Sequence, residues 1–189
     1  MKVIPKLILS IALASQIAGC VPAVVGGAAV GGSMATDRRT SGIYLEDENI
    51  ELKATRKMET NLGEYSHVSI TSYNRNVLLT GQVPDAAKKA LALTLMKEVE
   101  NVRNITDEIV VGPKTSISTR TNDTYITSKV KAQFVTENRF NANHVKVVTE
   151  DGTVFLMGLV TKQEAEDAVE ITRNNSGVEK VVKVFEYIN

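Results

Sequence analysis

Residues 153–160 read TVFLMGLV, and residues 76–83, 77 positions earlier, read NVLLTGQV. Both runs alternate their side chains and carry a glycine in the same place, the pattern of a strand with two different faces. The spacing recurs around them. HVSI (67–70) lies 77 positions before HVKV (144–147), DENI (47–50) lies 76 before DTYI (123–126), and Val102 and Ile105 lie 76 before Val178 and Val181. A period this regular, with small shifts between anchor points, marks a duplicated unit. The units run over 43–112 and 121–189, and a segment at 113–120 containing Pro, Ser and Thr reads as the linker between them.

Each unit predicts the order α-β-β-α-β. In the second, Asn122 or Asp123 is positioned to cap a helix whose Ile126, Val130 and Phe134 share one face; Ile50, Ala54 and Met58 match them in the first. Asp47, Glu48 and Glu51 are expected near that first helix's N-terminus, where acidic groups suit the helix dipole. Val145 and Val147 then alternate, Asp151-Gly152 turns the chain, and Val154, Leu156, Gly158 and Val160 return it as a hairpin. Thr161 and Glu164 form a capping box for a second helix with Ala165, Ala168, Val169 and Thr172 inside, Gly177 ends it, and residues 178–188 supply a last strand. A right-handed crossover makes that strand a parallel partner. The fold class is therefore α+β: two tandem units, each a three-stranded mixed sheet with two helices on one face. Gly81 and Gly158 are expected to be structural, making room beneath the second helix.

The N-terminus sets an address. Lys2 and Lys6 precede an apolar run from Leu7 to Ala14, too short to span a bilayer, so residues 1–19 read as a signal peptide. Ile17-Ala18-Gly19-Cys20 resembles a bacterial lipobox, which makes Cys20 the lipidation site and the first residue of the mature chain. Several acyl chains on one residue anchor a protein stably, and Val21 in place of aspartate resembles outer-membrane rather than inner-membrane sorting. Residues 20–42, rich in Gly and Ala, predict a lipidated tether, with Arg38 and Arg39 near head groups or solvated. Without Lys2 and Lys6, the 22 basic residues become 20 against 22 acidic, a charge of −2 that argues against nucleic acid.

With apolar-Thr/Met-Gly-x-Val on its second strand, the repeated unit resembles the BON domain. NDTYITSKV (122–130) and VFLMGLVT (154–161) carry the resemblance most specifically. Two such domains behind a lipobox and a tether resemble the dual-BON outer-membrane lipoproteins. That resemblance implies a non-enzymatic, lipid-anchored protein facing the periplasm. It further implies binding of anionic phospholipid through the first helix of the second domain, support of envelope integrity, contact of the first domain with the outer-membrane β-barrel assembly machinery, and enrichment at division sites. Similar sequences have been described as haemolysins, yet nothing in these residues supports a pore or toxin.

Comparing the two first helices gives the lipid-binding expectation a residue-level form. Tyr125, Ser128, Ala132 and Val135 share a stripe facing away from Ile126, Val130 and Phe134, with Lys129 and Lys131 on its flanks. The first unit has Asn49, Leu52, Arg56 and Glu59 there. Residues 123–136 hold one acid and two lysines, net +1, whereas residues 46–60 hold five acids and three bases, net −2. An apolar strip with a tyrosine and flanking lysines suits an anionic membrane surface. The residues alone leave two other fates open: Tyr125 and Val135 could pack on the first unit, or the stripe could meet a protein, the chain then being a lipid-anchored adaptor for the assembly machinery. Phe155, Met157 and Leu159 make the last hairpin strand apolar on its second face too, so that face is expected to dock the first unit, a partner or acyl chains. The sequence offers no catalytic constellation, cofactor motif or metal set: His67 and His144 are repeat equivalents in separate units, Cys20 is the only cysteine, and no G-x-S-x-G elbow occurs.

Overall fold

The computed structural model describes residues 37–189; Cys20, the signal peptide and residues 20–36 of the expected tether lie outside the described residues. The first unit comprises α1 (Ser41–Leu62), β1 (His67–Tyr73), β2 (Asn76–Val83), α2 (Ala86–Lys97) and β3 (Asn104–Val111). The second comprises α3 (Ile117–Glu137), a single 3₁₀ turn (Ala142–His144), β4 (Val145–Glu150), β5 (Thr153–Val160), α4 (Lys162–Arg173) and β6 (Lys180–Tyr187). Each sheet has three strands, in the orders β1-β2-β3 and β4-β5-β6, with an antiparallel hairpin and a parallel third strand. The α+β reading of two α-β-β-α-β units with mixed sheets holds.

Each unit has its own core on the helix side of its sheet. Ile50, Ala54, Met58 and Leu62 recur every four residues along α1 and meet Val77, Leu79 and Val83 of β2 with Ala92 and Met96 of α2. Ile126, Val130 and Phe134 do the same on α3 against Val154, Leu156 and Val160, and Phe134 meets Phe140 edge-on at 5.0 Å. The capping box forms as expected: the Thr161 side chain accepts from Glu164 N–H, and Glu164 accepts from Thr161 N–H.

A third core joins the units. Phe155 and Met157 on the second face of β5 pack against Tyr73 and Leu78, and Phe155 retains 3% of its exposure. The outer face of the second sheet thus docks the first unit. Burying side chains of this size stabilises by roughly 1.5–3 kcal/mol each, which matters for units near 70 residues, too small for a generous core. Polar contacts register the interface. Gln82 donates to Glu150 at 2.7 Å, Lys146 pairs with Glu51 at 2.8 Å, and Asn74 and Asn76 donate to Glu186 at 2.8 and 3.0 Å.

Several local expectations need correcting. Helix α3 begins six residues before Asp123: Ser116, not Asn122 or Asp123, is its N-cap, accepting from Thr119 N–H at 3.0 Å. The segment expected as a linker at 113–120 is therefore partly helix. Asp47 lies two turns inside α1, whose cap is Thr40. It is buried and accepts from Ser72 Oγ, Asn74 N–H and Arg75 N–H at 2.6, 2.8 and 2.7 Å, so it caps the hairpin turn and not the helix. Its repeat equivalent Asp123 accepts from Asp151 and Gly152 N–H at 2.9 and 3.0 Å. Glu51 likewise accepts from Ser72 N–H at 2.7 Å. Gly177 does not end α4: Asn174 is the C-cap, and Gly177 turns the following loop at φ +92°.

The two strand glycines also have another reason than the one expected. A Cβ on Gly81 would lie 2.0 Å from the His67 carbonyl oxygen, and one on Gly158 would lie 2.3 Å from that of His144. The close neighbour is the backbone entering the adjacent strand, not the second helix.

Candidate functional site

Helix α3 presents the face singled out in the sequence. Its inner side is held by Asp123, Ile126, Val130 and Phe134, all buried. At 100° per residue this forces Tyr125, Ser128, Lys131, Ala132 and Val135 outward, and all five are exposed, Tyr125 by 64% and Val135 by 67%. Neither Tyr125 nor Val135 packs on the first unit. Lys129 stands at the border of the face, half-buried, its Nζ 2.5 Å from Ser176 Oγ beyond α4. Neither flanking lysine forms an ion pair among the described residues, and Lys131 is the exposed one of the two.

The earlier helix start lengthens the stripe. Ile117, 75% exposed, falls in line with Ser128 and Val135 and was missed because residues 113–120 read as linker. Ser116 followed by Thr119, a capping pair, was the available signal. From Ile117 to Val135 the face runs about 27 Å at 1.5 Å per residue. Its hydroxyls are turned inward: Thr121 donates to Ile117 O, Thr124 to Arg120 O and Ser128 to Thr124 O, each at 2.9 Å. With their protons committed to the helix backbone, these residues present methyl and methylene groups outward, so the face is less polar than its letters suggest.

The chain enters the folded body beside this face. Asp37 and Arg39 share with Lys131 and Val135 an open cleft of about 440 Å³ between the N-terminal end of α1 and the C-terminal half of α3. The entering residues are pinned. Arg39 bonds Asp37 and Asp47 at 2.7 and 2.8 Å and lies 4.0 Å over the Tyr73 ring. Burial opposes its charge, but the bonds to the two carboxylates outweigh it and hold the guanidinium more firmly protonated than usual. Burial pushes the Tyr73 phenol up to about 12. Arg38 reaches the second unit, donating to the Leu159 carbonyl and to Glu164 at 2.7 Å. Burial alone would raise the Glu164 pKa, yet Arg38, the Thr161 N–H and His144 together bring it down to about 2. Neither arginine is simply solvated; both clasp the start of the folded chain to its two units.

No constellation for catalysis gathers around these residues. His67 opens β1 and His144 closes the 3₁₀ turn before β4, in different units, and burial, with Arg120 and Lys114 nearby, lowers the His67 pKa. Among the described residues, no group of three or more His, Cys, Asp or Glu could hold a metal ion, and no helix is long and apolar enough to cross a membrane.

Comparison with known proteins agrees with the duplicated architecture. The BON domain matches residues 46–113 and again 122–189. The chain is 42% identical over 173 residues to the outer membrane lipoprotein DolP of Haemophilus influenzae, covering 90% of each chain. It is 34% identical over 154 residues to the 21 kDa hemolysin of Actinobacillus pleuropneumoniae, covering 80% of this chain and 79% of that one. It is 30% identical over 145 residues to osmotically-inducible protein Y of Escherichia coli K12, covering 74% and 72%. With the domain matched twice and relatives aligned along most of its length, the chain belongs to the BON domain family as a tandem, two-domain member.

Proposed function

We propose that this chain is an outer-membrane lipoprotein, anchored through Cys20 and facing the periplasm, whose second BON domain lays the outward face of α3 on anionic phospholipid and so supports envelope integrity. Tyr125 places its ring at head-group depth with its hydroxyl wet. Ile117, Ala132 and Val135 enter the boundary of the acyl region, and Lys131 supplies about 1 kcal/mol of attraction to anionic lipid.

The observation that carries this reading is the shared cleft. Asp37 and Arg39 stand next to Lys131 and Val135, and 16 residues separate Cys20 from Asp37, a span of at most about 60 Å. The anchor and the face therefore serve the same surface, and α3 meets lipid at a high effective concentration. The test uses the non-acylated chain, so that the face acts alone. It is expected to co-sediment with vesicles containing anionic lipid, less so as salt rises, and Tyr125→Glu is expected to abolish this while leaving the thermal unfolding midpoint unchanged. Equal sedimentation of the two proteins would refute the reading.

A further inference from the structure

The two domains treat the free edges of their sheets differently. Among the described residues β3 and β6 each pair with one neighbour only, and in the same register: Ile109 lies opposite Gly81, Phe185 opposite Gly158. On β3, side chains occupy the outward groups of Ile109. Asp107 accepts from Ile109 N–H at 3.0 Å, Lys89 of α2 donates to the Ile109 carbonyl at 2.6 Å, and Lys89 pairs with Asp107 at 3.1 Å. An edge blocked at this central residue is a poor template for another strand.

The second domain lacks this closure. Helices α2 and α4 start in the same phase, the Asp85 side chain accepting from Lys88 N–H and the Thr161 side chain from Glu164 N–H. Ala165 therefore stands where Lys89 stands, and Lys183 where Asp107 stands. A methyl group cannot donate, and an ammonium cannot accept. An open groove of about 520 Å³ runs between α4 and β6, lined by Ala165 and Val169 from the helix and by Lys183 and Tyr187 from the strand. Its charge is predominantly positive. Glu170 is already held by Arg139 at 3.0 Å, which leaves Lys162, Arg173 and Lys183 against Glu166.

We propose that the groove between α4 and β6 is a strand-addition site for an extended, acidic segment of a protein partner. The segment pairs with the free edge of β6 and sets small apolar side chains against Ala165 and Val169 and carboxylates toward the three basic residues. This surface is separate from the outward face of α3, so membrane binding and strand capture stand or fall independently.

The test uses the full chain in detergent and a blocked synthetic peptide, Glu-Thr-Val-Thr-Glu-Thr-Val, which puts glutamate and valine on one face of a strand; the control replaces both glutamates with lysine. The acidic peptide is expected to bind and to slow hydrogen exchange at the Phe185 amide at least tenfold, and the basic one to do neither. Lys183→Asp, an exposed change, should weaken binding at least tenfold. Ala165→Lys with Lys183→Asp transplants the cap of the first domain; since Ala165 is buried, the single variant decides if the double one fails to fold. Unchanged exchange at Phe185, or equal affinity in Lys183→Asp, would overturn the proposal. So would a dimer of the peptide-free chain, seen by sedimentation and lost in Lys183→Asp, because the edge would then belong to a second copy.

Discussion

Helices α1 and α3 occupy the same place in two copies of one fold, and they differ mainly on the side the fold does not use. Inward, Ile50, Ala54 and Met58 stand against Ile126, Val130 and Phe134, and all six are buried. Outward, α1 carries Glu48, Asn49, Arg56 and Glu59, with Lys53 and Lys57 paired to Glu100 and Glu98 at 3.4 and 2.7 Å. Leu45 and Leu52 are its exposed apolar residues, whereas α3 exposes Ile117 and Val135 in line, with Tyr125 beside them. The core constrains one half of each helix and leaves the other free to take up a task. The same contrast separates the closed edge of β3 from the open edge of β6.

The two first helices also share a buried aspartate, and the largest expected effect tests whether its two copies do the same work. Asp47 accepts two hydrogen bonds from the β1–β2 turn and one from Ser72 of β1, and pairs with Arg39, while Asp123 accepts two from the β4–β5 turn. Asp47→Ala breaks a buried ion pair, which typically costs about 3–5 kcal/mol. Asp123→Ala strands two amide donors, at about 1–3 kcal/mol. Urea unfolding of both variants should show the first-domain change to be the more damaging; equal losses would mean that Arg39 adds nothing beyond the turn.

The strand glycines offer a narrower comparison. Alanine at either position drives a Cβ into a carbonyl oxygen, at 2.0 Å for Gly81 and 2.3 Å for Gly158, and overpacking of this kind costs about 1–3 kcal/mol. Gly81 also sits at φ +109°, where a side chain adds about 1–2 kcal/mol of backbone strain. Gly81→Ala should therefore lower the thermal midpoint more than Gly158→Ala. The reverse order would show that the sheet of the first domain yields more easily than its geometry implies.

How far the sequence was legible follows from what each signal reports. Periodicity reads which residues face inward, so the duplicated α-β-β-α-β order, the buried stripe of α3 and the exposure of Tyr125, Ser128, Lys131, Ala132 and Val135 could all be read from it. Phe155 and Met157 announced a second covered face by the same logic, and the domain interface covers it. Long-range polar contacts leave no periodic trace. Asp47 looked like a helix-cap acid because its partners Ser72, Asn74 and Arg75 lie more than 20 residues away. Arg38 looked solvated because Glu164 is 126 positions distant. Ile117 was lost to the linker because a Ser/Thr-rich stretch suits both a loop and the first turns of a helix.

The hairpin turns supply the smallest and most discriminating effect. Both turns have two residues, and all four residues have positive φ: Asn74 and Arg75 at 51° and 62°, Asp151 and Gly152 at 47° and 72°. This is the twist that favours Asn-Gly or Asp-Gly. The second domain has Asp-Gly, but the first holds an arginine in the left-handed region, at a cost of about 1–2 kcal/mol, and buries its Nε without a hydrogen-bond partner among the described residues. Asp47 offsets this strain by accepting from the Arg75 N–H, a bond that glycine would keep. Replacing Arg75 with glycine releases the strain and gives back about 0.5–1 kcal/mol in chain entropy. Arg75→Gly should therefore raise stability by about 0.5–1 kcal/mol, read as a shift in the urea midpoint with the slope unchanged. A loss instead would mean that the aliphatic stem of Arg75 contributes more by packing than its backbone costs, and the two turns would then differ by design of the side chain and not by tolerance of strain.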